Sequence, residues 1–143
     1  MNEKRQKMNS ALKEIVVPKL REKGFKGSLP HFRRILETEI HLLTFQFDRY
    51  GGGFVIELAK AENKPFETPW GKKIKTSKLT AHDFYKRIRI HPQGTLRSST
   101  TDDWFRYDKT SFGLKSIYKE VTEQVLSRFE LIEEQFLNGQ FEK

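Results

Sequence analysis

Five polar side chains of this sequence have the types and spacing of a binding surface. Side chains alternate along a β-strand, so these five share one face of a sheet if their strands lie side by side. Arginine forks bind carboxylates or phosphates through two hydrogen bonds, a glutamine both donates and accepts, and an indole stacks on a planar group. The candidate binding residues are Arg33, Gln46, Arg87, Arg89 and Trp104.

A structural interpretation competes with this one. Arg87 and Arg89 can instead pair with Glu39 and Glu57 on neighbouring strands, and each such pair contributes about 0.2–1 kcal/mol to stability. The strand registers also leave some positions open: Arg34 in place of Arg33, Arg106 in place of Trp104, and Tyr107 as a second stacking ring.

The sequence carries no motif typical of catalysis or metal binding. It has no cysteine, and no two of its four histidines have the helical spacing that presents two imidazoles to one metal ion. His82 next to Asp83 lacks a nucleophile motif, and the neighbouring carboxylates Asp102 and Asp103 are expected to point apart. We therefore expect a protein that is not an enzyme and has no catalytic residue, metal ion or cofactor.

The charge distribution is compatible with an anionic partner and equally with a basic surface that serves only solubility. The formal net charge is +8, with +7 on residues 1–35 and +6 on residues 60–110. This basic excess makes nucleic acid an alternative to a protein partner. The lack of cysteine agrees with a reducing compartment, so we expect a cytoplasmic protein. No apolar run approaches the ~18 residues of a membrane span, so we expect no membrane association.

Helical periodicity predicts a helix at each end of the chain. Apolar residues recur every three or four positions in residues 3–23 and again in residues 114–136. Pro18 should bend or divide the first helix, and Gly24 occupies a position that suits a left-handed C-terminal cap. At 143 residues the chain is long enough for one domain, residues 1–143.

Alternating apolar residues between these helices predict an antiparallel meander. Its strands fall at residues 31–36, 39–48 and 54–60, and shorter strands follow near residues 84–92 and 104–108. In the second strand Leu43, Phe45 and Phe47 should face the core, and Gln46 should lie on the solvated side. Residues 61–80 read as a long loop with a short helix near its end. The fold class is α+β, an antiparallel meander packed against an N-terminal and a long C-terminal helix.

Six short segments resemble a bacterial family catalogued as domain of unknown function 4304. In order along the chain, they are "LREKGFK" at 20–26, "FRR" at 32–34, "FQ" at 45–46, "GFVIEL" at 53–58, "RIRI" at 87–90 and "DDW" at 102–104. The resemblance implies an α+β domain with an antiparallel sheet against helices. It implies no activity, and it fits the 61–80 loop least well.

These observations favour a non-enzymatic binding domain. We expect it to bind another protein through the polar sheet face or the 61–80 loop, with an immunity or antitoxin-like role as one version. The alternative is a nucleic-acid binder that uses its basic arginine and lysine surface.

Overall fold

The N-terminal helical segment is built from three consecutive pieces. They are α1 (Glu3–Ala11), one π-helical turn (Leu12–Val16) and α2 (Val17–Glu22). Pro18 lies in the first turn of α2, directly after the π-helical turn, so the helix is divided where the proline predicts it. Gly24 follows with a φ of +93°, the left-handed conformation expected of the cap. The computed structural model describes residues 2–95, 103–111 and 113–141.

Eight strands follow within the described residues, and six of them form one antiparallel sheet. The strands are β1 (Lys26–Ser28), β2 (His31–Ile35), β3 (Glu39–Phe47), β4 (Gly53–Glu62), β5 (Phe66–Glu67), β6 (Lys73–Ile74), β7 (Ile88–Ile90) and β8 (Phe105–Arg106). The order in the main sheet is β1-β2-β3-β4-β7, and β8 also pairs with β4. Strands β5 and β6 form a separate hairpin. The predicted meander of β2, β3 and β4 is confirmed.

The two faces of the main sheet have different neighbours. The inner face packs on the helices, and the outer face is turned away from them. Leu43 and Phe45 on the inner face are 1% and 2% exposed, and Phe47 packs against the same core, as the alternation predicts. The residues opposite them in β4 face the helices too. Ile56, for example, lies opposite Phe45 and belongs to the same core.

The C-terminal helical segment is bent rather than continuous. It consists of α3 (Ile117–Leu126) and α4 (Phe129–Asn138), and the α-helix is interrupted at Ser127 and Arg128. Val121, Val125, Ile132 and Phe136 from these helices complete the inner core. The α+β fold class predicted from the sequence is confirmed. None of the helices in the described residues is long and apolar enough to cross a bilayer.

The outer face is covered over part of its area, which corrects the prediction of a solvated face. Ile40, Leu42 and Thr44 are fully buried on this side. Residues 63–86, which we call the arm, fold back over them and contribute Leu79 and Ala81 to a second, smaller core. The short helix expected near the end of residues 61–80 is present as the 3-10 turn Thr76–Lys78, and a second 3-10 turn, Ala81–Asp83, follows it. The β5–β6 hairpin within the same residues was not predicted.

Candidate functional site

The outer face contains a buried carboxylate, that of Glu57 in β4. Its side chain is 3% exposed and is surrounded by three donors. Arg89, directly opposite in β7, places Nε 3.1 Å from Oε2, and Arg87 places Nε 3.5 Å from the same oxygen. Nε2 of His82, from the arm, lies 3.1 Å from Oε1. Each donor offsets part of the cost of burying this charge.

Next to this carboxylate lies a pair of imidazoles. The His31 and His82 rings meet edge to face with 5.4 Å between centroids. Nδ1 of His31 hydrogen bonds to the hydroxyl of Thr44 at 2.8 Å. Burial lowers the pKa of His31, and the neighbouring His82 and Arg33 lower it further. His31 is therefore neutral at neutral pH.

The predicted site residues lie on the outer face, and three of them cluster. Arg87 and Arg89 meet at Glu57, and the Arg89 guanidinium carbon is 5.5 Å from the centroid of the Trp104 ring. Arg33 takes the outer position and donates from Nε to the Leu79 carbonyl at 3.0 Å. The structural interpretation of the arginines therefore applies with Glu57 as the acceptor.

Gln46 stands apart from this cluster. Its amide donates only to the adjacent Phe47 carbonyl at 3.4 Å, a long contact, and it faces Val55 across the strands. Trp104 is buried, with 8% of its area exposed, and Tyr107 is 2% exposed. Little of either ring is therefore exposed for stacking on a ligand.

Glu39 and Arg34 belong to the inner face, so neither joins the arginine cluster. Arg34 binds Glu133 of α4 with Nη2 2.5 Å from Oε1 and Nη1 2.9 Å from Oε2, a two-point geometry. It also donates to Nδ1 of His41, and Nε2 of that ring donates to Glu39. The hydrogen bond from Arg34 holds the pKa of Glu133 below its usual range. This network ties β2 and β3 to α4.

Sequence reasoning missed the exposed large hydrophobic side chains of the arm. Trp70, in the turn of the β5–β6 hairpin, is 79% exposed, and Tyr85 at the end of the arm is 92% exposed. The arm with β7, residues 63–90, contains eight Lys and Arg against two Asp and Glu. The available signal was "TPWGKK", because proline and glycine on either side of a tryptophan mark a turn that presents its ring to solvent.

A cleft of about 1020 Å³ opens where β3 begins and β4 ends. Its walls include Lys60 and Glu62 of β4, Phe66 and Phe84 of the arm, and Phe141 after α4.

Within the described ranges, no group of three or more His, Asp or Glu side chains is arranged to hold a metal ion. The predicted divergence of Asp102 from Asp103 falls on Asp102, which lies outside the described residues.

Comparison of this sequence with known proteins identifies a family but no individual related protein. The sequence pattern of the family described as Domain of unknown function (DUF4304) matches residues 16–131. No curated protein matches the chain. No solved structure matches it.

Proposed function

Because the chain belongs to the DUF4304 family, whose description assigns no activity, we propose from its geometry that it is a binding domain and not an enzyme. Its partner in this proposal is another protein, which it holds through the outward surface of the arm. The cytoplasm is the proposed compartment, since the chain has no cysteine.

The observation that carries this proposal is the exposure of Trp70 and Tyr85 on one basic segment. Tryptophan and tyrosine supply much of the binding energy of protein interfaces, because they bury large area at low cost in side-chain entropy. Phe84, adjacent to Tyr85, contacts Phe66 of the hairpin with 4.8 Å between ring centroids, so a packed base supports both exposed rings.

Charge suggests the chemistry of the partner surface. Four lysines of the arm point to an acidic partner, because opposite charge accelerates association and excludes basic competitors. They are Lys72, Lys73, Lys75 and Lys78. An immunity or antitoxin-like role fits a small domain of this kind whose target carries an acidic surface. The arginines at Glu57 are less available, because each already donates to a protein acceptor. Arg33, Gln46, Arg87, Arg89 and Trp104 stay predicted binding residues.

Affinity capture with matched variants tests this proposal. The full chain is used as bait against lysate of its own cell, beside Trp70→Ala/Tyr85→Ala and beside Tyr50→Ala. Tyr50 is a suitable control because it is 84% exposed and lies in the β3–β4 turn, outside the arm. We expect a protein that is recovered equally by the wild type and by Tyr50→Ala, and roughly tenfold less by the double variant. Equal recovery by all three contradicts the proposal.

A second candidate function is binding of single-stranded nucleic acid. The net charge of +6 on residues 63–90 favours it, and exposed aromatic rings also stack on bases. Mixed RNA and DNA oligonucleotides should then bind at about 50 mM salt and dissociate by about 200 mM. Lys72→Ala/Lys73→Ala should reduce the salt slope by about two. No binding at low salt removes this candidate.

A further inference from the structure

Strand β4 is longer than the strands that cover one of its edges. Toward β3, every residue from Phe54 to Glu62 has a partner. Toward the other edge, β8 covers Gly53 and Phe54, and β7 covers Ile56, Glu57 and Leu58. In the described part of the chain, no strand pairs with the last four residues, 59–62, on that edge.

The direction of the backbone groups follows from the hydrogen bonds at the two ends of the β3–β4 ladder. Asp48 donates to the carbonyl of Gly53 at 2.9 Å, and Asn63 donates to that of Thr38 at 3.1 Å. Odd-numbered positions of β4 thus bond to β3. In an antiparallel ladder the intervening residues point both groups the other way. Lys60 and Glu62 therefore direct their N–H and C=O groups to the open edge.

The next rung of the β4–β7 ladder is absent. The pairs of Ile56 with Ile90 and Leu58 with Ile88 would place Lys60 opposite Lys86. Lys86 lies outside β7, and the described hydrogen bonds include none from or to the backbone of Lys60. The Glu62 carbonyl accepts from Lys64 at 2.8 Å, whereas the described bonds include none from the Glu62 N–H. Two donors and one acceptor thus have the spacing of a strand edge.

This edge lies in the cleft of about 1020 Å³, whose largely polar lining includes aromatic side chains on both sides of the sheet plane. Phe66 and Phe84 pack with the outer core, and Phe141 packs with the inner one. The ammonium group of Lys60 is hydrogen bonded rather than free in the cleft, since it donates to the Phe136 carbonyl at 2.6 Å. Four residues of open edge span about 13 Å at ~3.3 Å each.

We infer that this edge binds an extended peptide of a partner protein as an added strand of the main sheet. The inference rests on the proposed protein-binding function and gives the partner a second point of contact. Only an extended backbone offers an acceptor, a donor and a second acceptor at this spacing. The peptide residue opposite Lys60 faces Phe141, and its two neighbours face Phe66 and Phe84. Uncharged, aliphatic or aromatic residues fit these neighbouring positions.

A second copy of the chain does not fit the same edge. Antiparallel pairing of two β4 edges about Lys60 sets Lys60 against Lys60, which is a like-charge pair. The edge is also flanked by Phe66 and Phe84 of the arm and by Phe141, which a folded second copy would have to clear before its β4 came within the ~4.8 Å of strand pairing.

The test uses ten-residue peptides selected from a random phage-displayed library on the full chain, with affinity measured by fluorescence anisotropy. Each peptide backbone nitrogen is methylated in turn, which leaves the protein unchanged. Strand addition predicts a two-residue period: methylation of alternate residues weakens binding roughly tenfold, and methylation of the residues between them has little effect.

A pair of protein variants at Glu62 provides the matched control. Glu62→Pro removes the N–H that faces the cleft, whereas Glu62→Ala removes the exposed side chain and keeps that N–H. Glu62→Pro should weaken the peptide roughly tenfold and Glu62→Ala should not.

Three results overturn the inference: no peptide is selected, methylation shows no two-residue period, or light scattering detects a dimer that Glu62→Pro dissociates. If capture through Trp70 and Tyr85 persists in any of these cases, the strand-addition site fails while the proposed function stands.

Discussion

Glu57 shows how one side chain fixes the chemistry of the outer face. A carboxylate buried in a sheet is stable only when donors replace its water, and Arg87, Arg89 and His82 do so here. His82 belongs to the arm, Arg89 to β7, and Arg87 is the residue that joins them. The carboxylate therefore ties the arm to the main sheet, and the arginines are held in place before any partner binds.

Removing this charge should destabilise the protein while leaving its shape. Glu57→Gln keeps the volume but weakens charge-assisted hydrogen bonds, so we expect a loss of about 2 kcal/mol in the free energy of unfolding. Glu123→Gln is the control, because Glu123 pairs with Lys115 on the surface and its loss should cost under about 1 kcal/mol. Urea unfolding measures both, and equal losses would mean that Glu57 carries no special role.

His41 gives a pH dependence whose sign can be derived. Arg34 donates to Nδ1 of this ring at 3.1 Å, so the neutral ring carries its proton on Nε2, toward Glu39. Burial lowers the pKa of His41 below 6.5, against the opposing hydrogen bond to Glu39, and the Arg34 charge lowers it further. The unfolded chain thus binds a proton that the folded one resists.

We therefore expect the free energy of unfolding to be highest above about pH 6.5 and to fall as pH decreases below it. Protonation of His31 acts in the same direction, because its pKa is lowered too. Urea unfolding at pH 7.5 and at pH 5.5 measures the difference, which should be smaller in His41→Gln. A variant with the full wild-type difference would show that His41 does not contribute.

At the scale of elements, alternation along β3 sets the inner face. Phe45 contacts the rings of Phe32 and Phe54 with centroid distances of 6.0 Å and 5.7 Å, and it is 2% exposed. Gln46, the next residue, is partly exposed and makes one long contact to its own neighbour. Phe45 faces the core and Gln46 faces away from it, so removing each side chain should change the free energy of unfolding by different amounts.

Phe45→Ala should lower the free energy of unfolding by about 3–5 kcal/mol, because it leaves a cavity that the sheet cannot fill. Gln46→Ala should change it by less than about 0.5 kcal/mol. Chemical denaturation of both variants is the measurement, and similar small losses would mean that the strand faces the other way.

The arm shows where reasoning from the sequence stops. The period of two along β3 and β4 is local, so the meander and its inner face could be predicted. The arm has no period, and its buried residues Leu79 and Ala81 stand singly among polar neighbours. Their burial depends on Ile40 and Leu42, which are about forty positions away along the chain. No local pattern predicts such a contact.

Leu79→Ala tests whether the arm is part of the fold. Leu79 is fully buried, so we expect a loss of about 2–5 kcal/mol and faster proteolysis between residues 64 and 75. A loss under about 0.5 kcal/mol would mean that the arm is an appended loop that the main sheet does not need.

At the scale of the whole molecule, different elements cover the two faces of the main sheet. The helices bury the inner face, and the arm buries part of the outer face and presents Trp70 and Tyr85 to solvent. The candidate site was predictable from the sequence as far as the facing of Arg33, Arg87 and Arg89. Pairing with Glu57 depends on the β4–β7 register, which the sequence left open.

Site-specific photo-crosslinking tests the central claim most directly. The photoreactive residue p-benzoylphenylalanine replaces Trp70 in one variant of the full chain and Tyr50 in another, and both are irradiated in cells. We predict a protein adduct of discrete mass from position 70 that is absent from position 50. Adducts from position 50 alone, adducts with nucleic acid alone, or none from either position would contradict a protein-binding arm.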